Sequence, residues 1–383
     1  GDFFMKKILT TALLVVFGAF VLTTAKAELS LSGYQEFYAV SVDQTTAAGL
    51  EQATQTDNAR SGLSNGRFTR LIATATTTLD NGIAVTGVYA ISKDAGSSDT
   101  DTRIVAVNEN SVSFSGGFGT MSIGNIFSAG TMIHNRGTTL IPTAEPDNNA
   151  FGYYPTGGGA TGGYGAFDEA GYALDGMKMR YMSNVYEGFQ LAISYESCME
   201  KNTASSSNVD CNGGTVTNYD DVIDVALAYN GNFEGVDIGL TYGAVQGNTQ
   251  ILAGAEYNDL DAQVYSAKVG FAGVTAIYKN HTYGDSGQLV SRTVDGDGEG
   301  SVYAFRYDMG NISLGYVRTE TSYKEGTNAS ASTGEMDIFG VGYNLGGGVV
   351  IEVAHGNKEE TDGSDNLKDT EADVTLAKLS FGF

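Results

Sequence analysis

Residues 221–243 read DVIDVALAYNGNFEGVDIGLTYG, and their period decides the fold. Ile223, Val225, Leu227 and Tyr229 fall on one side of the first half, with Asp224, Ala226 and Ala228 on the other. After a short break from Asn232 to Gly235 the scheme resumes, with Val236, Ile238, Leu240 and Tyr242 set against Asp237, Gly239 and Thr241. A period of two is that of an extended strand whose two faces meet different surroundings.

The same period recurs outward from this stretch. In GFQLAISYE, Phe189, Leu191, Ile193 and Tyr195 alternate with Gln190, Ala192, Ser194 and Glu196. Such segments of about ten residues are separated by two kinds of break that take turns. Short breaks lie at Asp80–Gly82, Gly116–Gly117, Tyr186–Gly188, Asn232–Gly235, Phe271–Gly273, Met309–Asn311 and Leu345–Gly348. Long polar ones lie near 42–66, 93–102, 127–175, 198–220, 246–258, 282–300, 322–335 and 357–371. Seven short turns and eight long loops join sixteen strands. An even number of antiparallel strands with short turns on one side and long loops on the other predicts a transmembrane β-barrel, an all-β fold.

Aromatic placement separates that barrel from a soluble sandwich. Phe114, Phe118, Phe189, Phe233 and Phe271 stand beside short turns, while Tyr195, Tyr229 and Tyr242 stand six to eight residues further along. Two aromatic rows around an aliphatic band match the two interfaces of a bilayer. Composition agrees: glycine is abundant at 52 residues, proline falls to 3, and tryptophan is missing while tyrosine reaches 22. Proline is scarce because it cannot donate to a sheet's hydrogen-bond ladder.

The first residues form an address. Met5 is followed by Lys6 and Lys7, an apolar run from Ile8 to Leu22, and Thr-Thr-Ala-Lys-Ala ending at Ala27. A positive start, an apolar middle and an A-x-A end are those of a secretory signal peptide. The expected domain plan is therefore 1–27 as leader with its upstream residues Gly1 to Phe4, and 28–383 as the barrel. Without that leader the chain keeps 18 of its 21 basic and 44 of its 45 acidic residues, a net charge near −26. So acidic a surface excludes a nucleic-acid partner, whose phosphates need a basic footprint. In an exported chain Cys198 and Cys211, in the polar run CMEKNTASSSNVDC, are read as a disulfide closing a surface loop. In the entropic account it restrains the unfolded chain by roughly 3 kcal/mol.

The stretch 127–175 has no usable period and holds all three prolines, Pro142, Pro146 and Pro155. A connection that long is functional or disordered. No enzyme is expected: His134, His281 and His355 are scattered, with His281 placed at the start of an outer loop, and no nucleophile has a base beside it. Counted from the short turns, parity sends Arg70, Arg103, Lys178 and Arg180 inward, together with Glu36, Glu109 and Asp224. Lys178 and Arg180, at about 2.5 Å of axial advance per residue, come to mid-membrane. The inward acids and the acidic total predict a weak preference for cations. Asp295-Gly-Asp297-Gly-Glu299 and Asp362-Gly-Ser-Asp365 offer oxygens to Ca²⁺, although solvated acidic turns read the same way. No other cofactor is expected.

Two stretches resemble a known family. The chain ends Leu-Ala-Lys-Leu-Ser-Phe-Gly-Phe, with Leu379, Phe381 and Phe383 on one face, which resembles the assembly signal of Gram-negative outer-membrane proteins. Asn108 to Asn125, NENSVSFSGGFGTMSIGN, is similar to the general porins, where a G-x-F-G-T turn precedes the strand leading into a pore-constricting loop. The Pro-Glu-Phe-Gly-Gly-Asp type of loop motif is absent. The resemblance implies a homotrimer of sixteen-stranded barrels in the outer membrane, passing small hydrophilic solutes and ions by passive diffusion. It implies further that 127–175 folds into the lumen, and that Glu145, Asp147, Asp168, Glu169 and Asp175 face the basic wall. Two other readings share the barrel: a substrate-selective porin with a saturable site, and a non-conducting structural or adhesive barrel.

Overall fold

The computed structural model describes residues 27–46, 62–94, 106–137, 176–198, 219–249, 256–291, 296, 298–324, 331–361 and 370–383. Among them the chain forms sixteen antiparallel strands closed into one barrel. The first eight are β1 (Glu28–Thr46), β2 (Gly62–Thr78), β3 (Ala84–Asp94), β4 (Ala106–Gly116), β5 (Gly119–Ile126), β6 (Gly176–Met182), β7 (Phe189–Cys198) and β8 (Tyr219–Phe233). The second eight are β9 (Val236–Thr249), β10 (Leu260–Phe271), β11 (Val274–Gly284), β12 (Gly298–Met309), β13 (Ile312–Lys324), β14 (Ala331–Gly346), β15 (Val349–Thr361) and β16 (Thr370–Gly382). One short helix, α1 (Ala129–Ile133), follows β5. Each strand pairs with its chain neighbours, and β1 closes the ring on β16 with Phe37 opposite Leu379 and Val42 opposite Val374. Closure leaves no sheet edge, which a hydrocarbon layer would punish with unpaired N–H and C=O groups.

The tight turns are built by their own residues. Glu187-Gly188, Glu234-Gly235 and Ala272-Gly273 all hold positive φ at both positions, near 50° and then 84–89°. That pair of angles matches the twist of a two-residue hairpin, and glycine takes the second without a Cβ clash. The C-terminus is tied down as well: Phe383 and Gly33 exchange both backbone hydrogen bonds at 3.0 Å.

The outer face carries two aromatic girdles, but Tyr229 stands opposite Phe189 with ring centroids 4.8 Å apart, so it belongs to the row beside the tight turns and not to the upper one. Phe189, Phe233 and Phe271 are exposed beside the tight turns, and Tyr242, Tyr265 and Tyr303 are exposed higher up, with Leu191, Leu227, Leu240 and Val269 between. Beside Tyr303 of the second row the outer face turns charged. Arg318 reaches Glu320 at 2.6 Å, Glu335 at 2.7 Å and Asp337 at 2.8 Å. Charge of this density marks where the wall leaves the apolar band.

Several strands run past the breaks read from the sequence, for example β12 from Gly298 and β14 from Ala331. Beyond the bilayer, backbone pairing continues between residues that are polar on both faces, so the apolar alternation that marks a strand is lost. His281 is a correction of this kind. It stands on the inner face of β11, fully buried, and not in an outer loop.

The inner face divides into two sectors. From β11 round to β2 it carries an apolar row, with Ala304, Val317, Ile338, Gly356, Val374 and Val42 opposite one another from β12 to β1, while Lys279, Lys358 and Lys378 stand elsewhere on the same face. With Tyr38, Val40, Phe68, Ile277, Val302, Met336, Ala354 and Leu376 the side chains of this row, Gly356 aside, make one buried cluster. From β6 to β10 the inner face carries the polar groups that meet the start of the long loop, beside a second buried apolar cluster of Val222, Val245, Leu260, Ala262 and Val264 on β8 to β10.

Candidate functional site

Residues 127–137 cross the polar sector strand by strand. The Arg180 guanidinium on β6 donates to the Phe127 carbonyl at 2.8 Å. On β7 the Ser194 hydroxyl accepts the Ala129 N–H at 3.0 Å, and on β8 the Asp224 carboxylate accepts the Gly130 N–H at 2.6 Å. The chain then makes the single turn of α1, whose Ser128 cap accepts from the Thr131 N–H at 3.4 Å. On β9 the Thr241 hydroxyl meets His134 Nδ1 at 2.8 Å. On β10 the Ser266 hydroxyl accepts from the backbone and side-chain N–H groups of Asn135, both at 3.2 Å. Five consecutive strands thus hold five loop residues in order.

Missing side chains make the space. A Cβ on Gly243 of β9 would stand 2.7 Å from His134 Nε2, and one on Gly239 would stand 3.0 Å from Asn135 Oδ1. Gly137 ends the described run against Val302, Ala304 and Ile277, with its Cβ position 2.7 Å from Val302 Cγ1. The loop has there reached the edge of the apolar sector.

Charges on the inner face are paired at close range. Lys178 and Glu196, opposite each other on β6 and β7, form a 2.7 Å ion pair with both side chains only 4% exposed. Arg70 on β2 pairs with Glu109 of β4 at 3.1 Å, and Glu109 lies within electrostatic reach of Arg180. Glu36 stands 3.6 Å from Lys378 and accepts the Tyr38 hydroxyl. Burial, with Lys279 nearby, holds the His134 imidazole down to about 3. His134 is therefore neutral at physiological pH and acts in the wall as a hydrogen-bonding ring. His355 lies on the outer face of β15, where its Nδ1 meets the Thr375 hydroxyl at 2.9 Å.

Of the residues read from the sequence, Lys178, Arg180 and the loop start come together, and Arg70 joins them through Glu109. Lys178 lies on the inner face as parity requires, but its charge meets Glu196 in a buried pair. Arg103, Glu145, Asp147, Asp168, Glu169, Asp175 and Cys211 lie outside the described residues, as do residues 1–26 and most of both acidic turns considered for Ca²⁺. Of Cys198 only the backbone is described. No group of three or more His, Cys, Asp or Glu side chains suited to a metal occurs among the described residues. The sequence reading missed Ser194, Thr241 and Ser266. Their only signal is small polar residues at inward parity on consecutive strands.

A closed barrel with an apolar belt outside and a polar wall inside defines a transmembrane channel of the outer-membrane type. The sequence matches the family model of the Gram-negative porins over residues 10–363, and the chain belongs to that family. It is a diffusion channel of the outer membrane. No curated protein matches the sequence.

Solved porins share the fold. An anion-selective porin from Comamonas acidovorans aligns with a TM-score of 0.64 at 14% identity, covering 94% of this chain and 100% of that one. OmpF of Salmonella typhi, solved with daunomycin, aligns at 0.63 and 12% identity over 93% and 98%. OmpT of Vibrio cholerae, solved in a trimer form, aligns at 0.58 and 12% over 93% and 99%.

Proposed function

We propose that the stretch beginning at Phe127 narrows the lumen, so that the channel passes small hydrophilic solutes and ions through a bore set by this loop. The observation that carries this reading is the ordered series of hydrogen bonds from Phe127 to Asn135 across β6 to β10. A loop bound to successive inner-wall strands takes up lumen cross-section and does not swing clear of the mouth. The family is one of non-enzymatic channels, and the function proposed here is passage alone, with no chemistry on the solute. Residues 1–27 are removed on export in this reading, and three copies assemble, as in the trimer form of OmpT.

The net acidity and the inward Glu36, Glu109 and Asp224 support a weak cation preference, in contrast to the porin from Comamonas acidovorans. Each of those acids has a close partner, so the preference is small.

Reconstitution into planar bilayers tests the reading. Uniform open channels are expected, and removing 140–165 should raise their conductance while the barrel still assembles. Unchanged conductance in that deletion would place the constriction elsewhere. A reversal potential favouring anions would overturn the cation preference, and solute-dependent block would point to a saturable site.

A further inference from the structure

We infer that Asp224 is the positioning residue of this channel: its carboxylate fixes the loop at Gly130 and thereby sets the bore. This rests on the reading of the loop as a constriction and deepens it. Asp224 is 3% exposed on the inner face of β8, and its Oδ2 accepts the Gly130 N–H at 2.6 Å. Its other oxygen has no hydrogen-bond partner on the wall, and the Ser128 hydroxyl of the same loop lies close by. This carboxylate is therefore committed to the loop and not to a neighbouring strand. Ser194 stands directly opposite on β7 and takes the preceding amide, that of Ala129. Two successive loop amides are received by two facing residues of adjacent strands.

The acceptors differ in kind. Ser194, Thr241 and Ser266 are single hydroxyls, whereas Asp224 brings a two-oxygen carboxyl group within the field of Lys178. Arg180 donates to the Phe127 carbonyl, three residues away. Together they clamp 127–130 from opposite polarity, and the softer contacts at His134 and Asn135 guide the chain onward to Gly137. A buried carboxylate of this sort is expensive to keep without a partner. The Gly130 amide is that partner.

The test uses the full-length protein reconstituted in planar bilayers, beside an Asp224→Ala variant, an Asp224→Asn variant, and a Gly130→Cys/Asp224→Cys pair in a Cys198→Ser/Cys211→Ser background. Asp224→Ala should raise single-channel conductance roughly 1.5-fold and broaden open-channel noise, because a wider constriction passes more ions. Asp224→Asn keeps an acceptor oxygen for Gly130 and should stay close to wild type, which a need for the charge itself would not allow. The cysteine pair should cross-link, and reduction should raise its conductance. If the cross-link forms but neither Asp224→Ala nor reduction changes conductance, Asp224 is a bystander while the loop still lies in the lumen. Absence of the cross-link would overturn both. Should Asp224→Ala fail to give a heat-modifiable barrel band, conductance of the cross-linked pair before and after reduction decides alone.

Discussion

The two sectors of the inner wall hold their surroundings by opposite means. From β6 to β10 the wall offers hydroxyls, a carboxylate and a guanidinium, and the loop answers with backbone amides and carbonyls. From β11 round to β2 one row offers Val, Ile, Leu and Met, fully or almost fully buried, beside buried ion pairs such as Lys358 with Glu360. The polar sector fixes position, because a hydrogen bond is lost within a few tenths of an ångström. The apolar sector contributes burial without direction, at roughly 1.5–3 kcal/mol for each large side chain. A channel needs the first to hold its bore constant.

That contrast can be broken from either side. The largest effect is expected from Val317→Asp, which places an unpaired charge in the middle of the apolar row. Such a group costs far more than a single packing defect, and loss of the heat-modifiable barrel band on a gel is the expected outcome. Normal assembly would mean that the apolar half is not dry.

Next comes Glu196→Gln, which strands the Lys178 ammonium in a site only 4% exposed. Removing one partner of a buried ion pair costs about 3–5 kcal/mol, to be read as a lower midpoint of urea unfolding in lipid vesicles. A midpoint equal to that of wild type would show that Lys178 finds water in the lumen.

Acid gives the third effect, and its sign is set by His134. The docked imidazole is held down to about 3, against the ordinary value near 6.5 once released. Above pH 6.5 both states are neutral and docking is unaffected. As pH falls from 6.5 towards 3, only the released loop gains a proton, so docking weakens progressively. Open-channel noise should therefore rise between pH 7 and pH 4.5, and His134→Asn should remove that part of the rise. An identical pH profile in the variant would exclude His134 as the cause.

The smallest effect is expected from Ser194→Ala. It removes one neutral bond, that to the Ala129 amide, worth about 0.5–1.5 kcal/mol. The barrel should assemble normally while open-channel noise increases slightly, less than in Asp224→Ala.

The barrel is readily legible in the sequence, and the site is not. Residues 221–243 alternate because one face meets lipid and the other the lumen, and Glu234-Gly235 turns because glycine accepts its φ of 88°. Both causes are local, so both can be read from neighbours in the chain. Arg70, Lys178, Arg180 and Asp224 could be sent inward by counting, since a strand's parity is fixed once its turn is known. What each inward residue touches was not countable. Ala129 finds Ser194 across 65 residues, Gly130 finds Asp224 across 94, His134 finds Thr241 across 107 and Asn135 finds Ser266 across 131. Lys178, read as a wall charge, meets Glu196 because the β6–β7 register sets them face to face. Period and turn chemistry determined that this chain closes into a membrane barrel. Only closure and register, which bring distant strands to one inner surface, decided which side chains hold the loop and where the wall is dry.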